Sequence, residues 1–189
     1  MRIIAGRFKG TRLPAPRGKA VRPTTEKVRE AVFDALGPVV EGSRVLELFA
    51  GTGAFGLEAL SREAEFVVFV EKDKKLTGTL AETINLLKVE DRSLILTMSV
   101  AQALKRLAAD GDRFSIIALD PPYGTDLIER VVNDPAFKSV LDPEGLVIVE
   151  RDVHVSEPEY PVFFRKHFRR QYGGTLVEMF HLHTMSAEF

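Results

Sequence analysis

Five short apolar runs, at residues 44–48, 66–70, 93–97, 114–119 and 146–150, constrain the fold most strongly. Each is too short for an ordinary helix and carries β-branched or large apolar residues, so each is expected to be a buried strand. Stretches of helical length lie between them, near 54–62, 73–88, 100–109 and 126–133. Strands that alternate with helices need crossover connections, and these produce a parallel sheet covered on both faces. The last part of the chain departs from this pattern. Segments 162–170 and 175–183 are expected as strands joined through Tyr172-Gly173-Gly174, a hairpin signal. The expected architecture is α/β: seven strands, mostly parallel, finished by an antiparallel hairpin.

Ahead of the alternation, residues 2–13 (Arg-Ile-Ile-Ala-Gly-Arg-Phe-Lys-Gly-Thr-Arg-Leu) are expected to form two short strands around a glycine-containing turn. Pro14, Pro16, Gly18 and Pro23 then mark a loop. Thr24 or Thr25 is placed to cap a helix running to about Leu36, with Val28, Val32, Phe33 and Leu36 on one face, and Gly37-Pro38 ends it. Residues 1–23 are expected to be a basic hairpin arm on a main domain of residues 24–189, together one compact unit. No internal repeat or linker divides the chain.

The net charge of −1 hides an asymmetry. Residues 1–30 carry nine basic side chains against Glu26 and Glu30, a net +7, which leaves −8 for the rest. On this count no other part has a marked positive excess. A basic arm on an acidic body suits a polyanion, most simply nucleic acid, and the plain alternative is a solvated basic face. The candidate contacts are Arg7, Lys9, Arg12, Arg17, Lys19, Arg22, Thr24 and Arg29. The absence of cysteine excludes disulfides, thiolate-zinc sites and a cysteine nucleophile, and it suits a reducing compartment. With neither a signal peptide nor a long apolar span, the expected location is the cytoplasm, away from membranes. His181 and His183 share a face of one expected strand without a third ligand, so no metal is expected. His154 and His167 are expected at the surface, and Phe163, Phe164 and Phe168 on the packing face of the sheet.

Two stretches carry chemistry. In the first, the strand ending at Leu119 runs into Asp120-Pro121-Pro122-Tyr123. The prolines have fixed φ and no N–H, so they hold Asp120 extended at the carboxyl end of the strand, where open α/β sheets bind ligands. The exocyclic nitrogen of a base is a poor nucleophile because its lone pair is delocalised into the ring. If Asp120 and a neighbouring carbonyl each accept one of its N–H groups, the nitrogen moves toward tetrahedral geometry, and the positive charge that grows on it is stabilised. Tyr123 can stack on the base. A simple Asp-Pro turn is the plain alternative.

The second stretch is Glu47-Leu48-Phe49-Ala50-Gly51-Thr52-Gly53-Ala54-Phe55-Gly56. Gly51, Gly53 and Gly56 have dinucleotide-binding spacing, and Glu71 follows Gly51 by 20 residues. A carboxylate at position 47 is unwelcome beside a pyrophosphate, whereas it suits a cofactor with a cationic amino group, and S-adenosylmethionine fits. Glu71 can then accept from both ribose hydroxyls. Ser99 stands where such folds meet adenine, and a helix cap is an equal alternative. The candidate cofactor set is Glu47, Phe49, Ala50, Gly51, Thr52, Gly53, Glu71, Lys72, Ser99 and Asp120.

With these motifs the chain resembles the RsmD-type guanine-N2 methyltransferases of small-subunit ribosomal RNA, over nearly its whole length. The resemblance runs through Arg2-Ile-Ile-Ala-Gly, Arg22-Pro23-Thr24, Val28-Arg29-Glu30-Ala31, Leu48-Phe49-Ala50-Gly51-Thr52-Gly53, Gly56-Leu57-Glu58-Ala59-Leu60-Ser61-Arg62, Val70-Glu71-Lys72-Asp73, Asp120-Pro121-Pro122-Tyr123, Val149-Glu150 and Tyr172-Gly173. It implies the class I, Rossmann-like methyltransferase fold, S-adenosylmethionine as cofactor, Asp120 to Tyr123 as catalytic site, and a basic N-terminal extension that helps hold RNA. It also implies a substrate of 16S ribosomal RNA within an assembling small subunit, and the enzyme is expected to act as a monomer. Two departures stand out: the family often has Asp or Asn where this chain has Ser99, and Asp where it has Glu47. The rival expectations are an adenine-N6 methylase of DNA or RNA, an NAD-dependent oxidoreductase, and a nucleic-acid-binding module with an idle site.

Overall fold

The computed structural model describes residues 1–14, 26–122 and 126–182. Strands β1 (Arg44–Leu48), β2 (Phe66–Val70), β3 (Ser93–Leu96), β4 (Phe114–Leu119), β5 (Leu141–Asp152), β6 (Phe164–Tyr172) and β7 (Thr175–Leu182) form one sheet in the order β3-β2-β1-β4-β5-β7-β6. β1 to β5 run parallel, and β7 lies antiparallel between β5 and β6. Strand order reverses between β1 and β4, which makes their carboxyl ends the ligand edge of the sheet.

Side chains alternate across the strands and both faces are buried. Val45, Phe69, Ile116, Ile148 and Met179 meet α1 (Glu26–Leu36), α2 (Ala54–Ser61) and α3 (Lys74–Leu87) through Val32, Phe33, Leu57, Leu60 and Leu80. Leu46, Val68, Ile117, Val147 and Phe180 face α4 (Val100–Asp110), α5 (Leu127–Val132) and α6 (Pro135–Val140) through Leu104, Leu107, Ile128 and Phe137. None of the helices among the described residues is long and apolar enough to cross a membrane.

β5 and α6 differ most from expectation, and β6 lies two residues later than expected. β5 begins at Leu141, five residues early, because its pairing with β4 shifts register between Phe114 and Ile116. The intervening Asp142-Pro143-Glu144 interrupts the apolar run that would have betrayed it. α6 was not expected at all. Its six residues are too few for a periodicity, although Asp134, which accepts from the Ala136 N–H, followed by Pro135 is a helix-start signal.

Among the described residues the N-terminal segment forms one isolated bridge, Arg2–Arg12, in place of two paired strands, with Ile3 N–H to Thr11 O (3.0 Å), Gly10 N–H to Ile3 O (2.9 Å) and Leu13 N–H to Met1 O (2.9 Å) around it. Its anchor is α2. Fully buried Glu58 accepts from the Ile4 and Ala5 N–H groups at 2.7 and 3.0 Å, and Ser61 Oγ accepts from the Phe8 N–H at 2.9 Å. Ile3 and Leu13 join the core on the α1 side of the sheet.

Arg29 corrects an expectation. It was expected to contact RNA, but it is only 1% exposed, donates to the Arg2 carbonyl and lies 3.6 Å from Glu58. A buried cation cannot meet a phosphate backbone, so Arg29 instead ties α1 to the N-terminal segment and α2. Burial lowers its pKa from the ordinary arginine value, against the opposing pull of Glu58.

Candidate active site

Glu47, Phe49, Gly51, Glu71, Ser99 and Asp120 all border one cavity of about 660 Å³ at the carboxyl edge of the sheet. Ala50, Thr52 and Lys72 line it as well, with Arg29 and Val32 from α1. Gly53 is not in the wall but shapes it. Its φ is +72°, and a Cβ there would stand 2.5 Å from Leu80 Cδ1. Phe49 takes a left-handed φ of 60° without being glycine, which marks the turn after β1 as locally strained.

Glu47 lies at the base of this turn. Its two oxygens accept the backbone N–H groups of Phe55 (3.2 Å) and Gly56 (2.9 Å), in the first turn of α2. Those donors have no partner within the helix, and Gly53 at the N-cap has no side chain to offer them. They are also the groups a dinucleotide pyrophosphate would need. The carboxyl is buried, and burial pushes its pKa up to about 8, with the Asp120 charge adding and the two N–H bonds opposing.

Glu71 is oriented by backbone at both oxygens. One accepts from Gly51 N–H and the other from Asp73 N–H, each at 2.9 Å. This links the glycine turn to the end of β2 and fixes the carboxylate at the cavity rim. Ser99 is a helix cap: it forms a capping box with Gln102 at the start of α4, accepting from the Gln102 N–H and donating to its Oε1 at 2.7 Å. Its hydroxyl is therefore engaged locally while the residue still borders the cavity.

Asp120 is exposed, one residue past β4, and the adjoining Pro121 is buried. Pro121 and Pro122 separate the large cavity from a second one of about 270 Å³, to which both also contribute. The second cavity is edged by Asp126, Glu129, Glu150 and Asp152. Sequence reasoning missed it, because its wall joins the end of β4 and α5 to β5 and the segment after it. That segment is held by a buried ionic centre: Glu178 accepts from Arg151 Nε and Tyr160 Oη, both at 2.9 Å, with Lys166 Nζ 2.6 Å from its other oxygen. Burial would raise the Glu178 carboxyl, but these donors hold it below its ordinary pKa.

Of the other expected contacts, Tyr123, Arg17, Lys19, Arg22 and Thr24 lie outside the described residues, as does His183. Arg7, Lys9 and Arg12 are exposed. Among the described residues no group of three or more His, Asp or Glu side chains is arranged to hold a metal. Glu58 escaped sequence reasoning as a structural hub, although a carboxylate amid Phe55-Gly56-Leu57 and Ala59-Leu60 was a usable signal.

The family model described as "Conserved hypothetical protein 95" matches residues 1–181. The chain is 33% identical over 180 residues to "Ribosomal RNA small subunit methyltransferase D" of Escherichia coli strain K12, covering 95% of this chain and 89% of that relative. It is 36% identical over 159 residues to "Putative rRNA methyltransferase YlbH" of Bacillus subtilis strain 168, covering 84% and 86% of the two chains. Among solved structures, "Putative methyltransferase yhhF from Escherichia coli" matches with a TM-score of 0.83 at 32% identity, covering 96% of this chain and 97% of that one. The chain belongs to the ribosomal RNA small subunit methyltransferase D family, and its sheet has the class I S-adenosylmethionine-dependent methyltransferase fold.

Proposed function

We propose that the protein methylates the exocyclic N2 of a guanine in small-subunit ribosomal RNA, with S-adenosylmethionine as methyl donor. The observation that carries this reading is the convergence of Glu47, Glu71 and Asp120 on one cavity at the strand-order reversal. Ribosomal RNA as substrate class is supported by the names of the relatives, which span most of the chain.

The residues suit this cofactor. Glu47 would hold a cationic amino group, Glu71 would accept from ribose hydroxyls, and the backbone from Phe49 to Thr52 would border the bound molecule, with Lys72 and Ser99 also in the wall. When bound, S-adenosylmethionine supplies an electrophilic methyl group. Asp120 accepts an N–H of the target amine and, with a neighbouring carbonyl, turns the nitrogen lone pair outward. Being an ionised acceptor, it also stabilises the growing positive charge. Tyr123 would stack on the base and keep it in place.

Guanine is favoured over adenine by the acidic second cavity. The Watson–Crick edge of guanine offers donors at N1 and N2, which suit the acceptor-only carboxylates there, whereas adenine offers an acceptor at N1. An NAD-dependent reaction is disfavoured because Glu47 already occupies the α2 N–H groups. Residues 1–23 would contact RNA and residues 24–189 carry the chemistry.

The test is incubation with S-adenosylmethionine and unmodified small-subunit ribosomal RNA, free or in partly assembled particles, followed by mass mapping of nucleosides. N2-methylguanosine at one position is the expected product. N6-methyladenosine would overturn the base assignment, and no incorporation into either substrate would overturn the activity.

A further inference from the structure

The outer edge of the sheet carries a second basic surface. β6 reads Phe164-Arg165-Lys166-His167-Phe168-Arg169-Arg170-Gln171-Tyr172, with four permanent cations and no carboxylate. The N-terminal segment is therefore not the only positive region of this acidic body.

The cations divide between the two faces of the strand. Lys166 and Arg169 point to the Glu178 side, where Lys166 lies 2.5 Å from Glu157 and 2.6 Å from Glu178, and Arg169 lies 3.8 and 3.5 Å from the same two residues. Both are ion-paired there, on two carboxylates that Arg151 also shares. Arg165 and Arg170 are five residues apart, an odd spacing that would put them on opposite faces of a regular strand. The bulge between Lys166 and Phe168 reverses that parity, so Arg165 pairs with His181 and Arg170 with Val177, two positions of β7 on one face. Among the described residues neither arginine meets a carboxylate, and both are exposed. Aromatic groups accompany them: the His167 and His181 rings lie 4.2 Å apart, and the Arg170 guanidinium lies 5.4 Å from the Tyr172 ring centroid.

This face is the one that α1 and the N-terminal segment cover, since Val177, Met179, Ile3 and Leu13 share its core. The register also places Arg170 at the active edge. Arg170 pairs with Val177, Val177 with Glu150, and Glu150 follows Val149, which pairs with Leu119 beside Asp120. Three strand spacings, about 14 Å, separate the backbones of Arg170 and Asp120.

We infer that Arg165 and Arg170 on the bulged edge strand form a second phosphate-binding surface, which holds RNA flanking the base presented at Asp120. This rests on the reading of the protein as an RNA methyltransferase. The plain alternative is that charge on an edge strand blocks edge-to-edge association. It does not account for the opposite edge, where β3 (Ser-Leu-Ile-Leu) carries no charge.

The test measures affinity for unmodified small-subunit ribosomal RNA at several salt concentrations, for wild type, Arg165→Ala/Arg170→Ala and Lys166→Ala, with S-adenosylhomocysteine binding as a fold control. The double variant should bind RNA more weakly. Its log–log salt slope should fall by about 1.5, since each phosphate that is no longer neutralised takes away about 0.7–0.9. Lys166→Ala, already paired in the fold, should keep the wild-type slope. A double variant with the wild-type slope overturns the inference while leaving the activity intact, and so does equal flattening by Lys166→Ala. If it also self-associates, edge protection is the role of these charges. Wild-type protein that neither binds nor methylates this RNA overturns the inference together with the reading it rests on.

Discussion

The large cavity has a pinned wall and an open rim. Glu47 and Asp120 come from neighbouring strands and share a face, since Glu47 pairs with Ala118, two residues before Asp120. Glu47 is 7% exposed with both oxygens bound to α2, and behind it Arg29 and Glu58 lock α1 and the N-terminal segment together. Asp120 is exposed, its direction set by the two prolines that follow. The proposed roles match this contrast: a carboxylate that would serve the same cofactor at every turnover can be built into the wall, and one that would meet the amino group of an incoming base has to stand where a macromolecule can reach it.

Breaking the pinned wall should produce the largest effect, and it should appear as lost stability. Arg29→Met removes a buried cation, and because Glu58 keeps Arg62 at 2.9 Å, the deficit should lie at the lower end of the about 3–5 kcal/mol that breaking a buried pair costs. Chemical denaturation should show this deficit while the folded fraction keeps its RNA salt slope. A near-wild-type denaturation midpoint would contradict the anchoring role.

Asp120→Ala attacks the rim and should do the reverse, with the melting temperature and cofactor affinity nearly unchanged while methyl transfer falls on the order of 10²-fold or more. Single-turnover assays at saturating cofactor would read it. Wild-type turnover in the variant would remove Asp120 from the chemistry.

Glu71→Ala is expected to weaken S-adenosylmethionine binding roughly tenfold or more, since each charge-assisted hydrogen bond to a carboxylate contributes about 1.5–3 kcal/mol before water compensates. Calorimetry reads the change. An affinity equal to wild type would place the ribose elsewhere.

The smallest effect is a pH dependence that belongs to the wall alone. Burial raises the Glu47 carboxyl from 4.5 to about 8, so the folded protein holds this proton more tightly than the unfolded chain. The stability this confers is complete below about pH 4.5 and is lost as pH rises through about 8. Cofactor affinity should move the other way, rising over the same interval, because an ammonium group needs the ionised form. Titrations of wild type and Glu47→Gln between about pH 6 and 9 should show this trend only in wild type. A flat wild-type profile would mean that the cofactor amine binds elsewhere.

Much of the fold could be read from local pattern. β1, β2 and β4 stand at the expected residues, because a parallel strand buried on both faces is a mostly apolar run, broken here only by Arg44, Glu47 and Ser115. The hairpin at Gly173 follows from the turn, whose φ of 60° suits glycine. The start of β5 and the whole of α6 could not be read this way, since an irregular register and a six-residue helix leave no period to detect. In the candidate site Glu47 and Asp120 were legible beside a glycine turn and a double proline, and Glu71 and Ser99 from their places after β2 and β3, and all four border one cavity. Of their duties, the Ser99 cap on α4 was one of the two readings, whereas the bonds of Glu47 to the α2 N–H groups from the preceding strand were not expected.

By itself, then, the sequence determined the order of strands and helices, the glycine turn, and the exposed carboxylate at the end of β4. These depend on residues adjacent in the chain, whose φ preferences and apolar spacing act before any tertiary contact forms. Only the tertiary structure decided the fate of the charges. Arg29 and Arg170 are both arginines with a basic and an apolar residue among the two before them, yet one is buried beside Glu58 and the other is exposed on an edge strand. The partner that buries Arg29 lies 29 residues further along the chain, and the face that Arg170 takes depends on a bulge set by pairing with β7. Electrostatic roles depend on distance through space and on local dielectric, and neither quantity exists until the chain has folded.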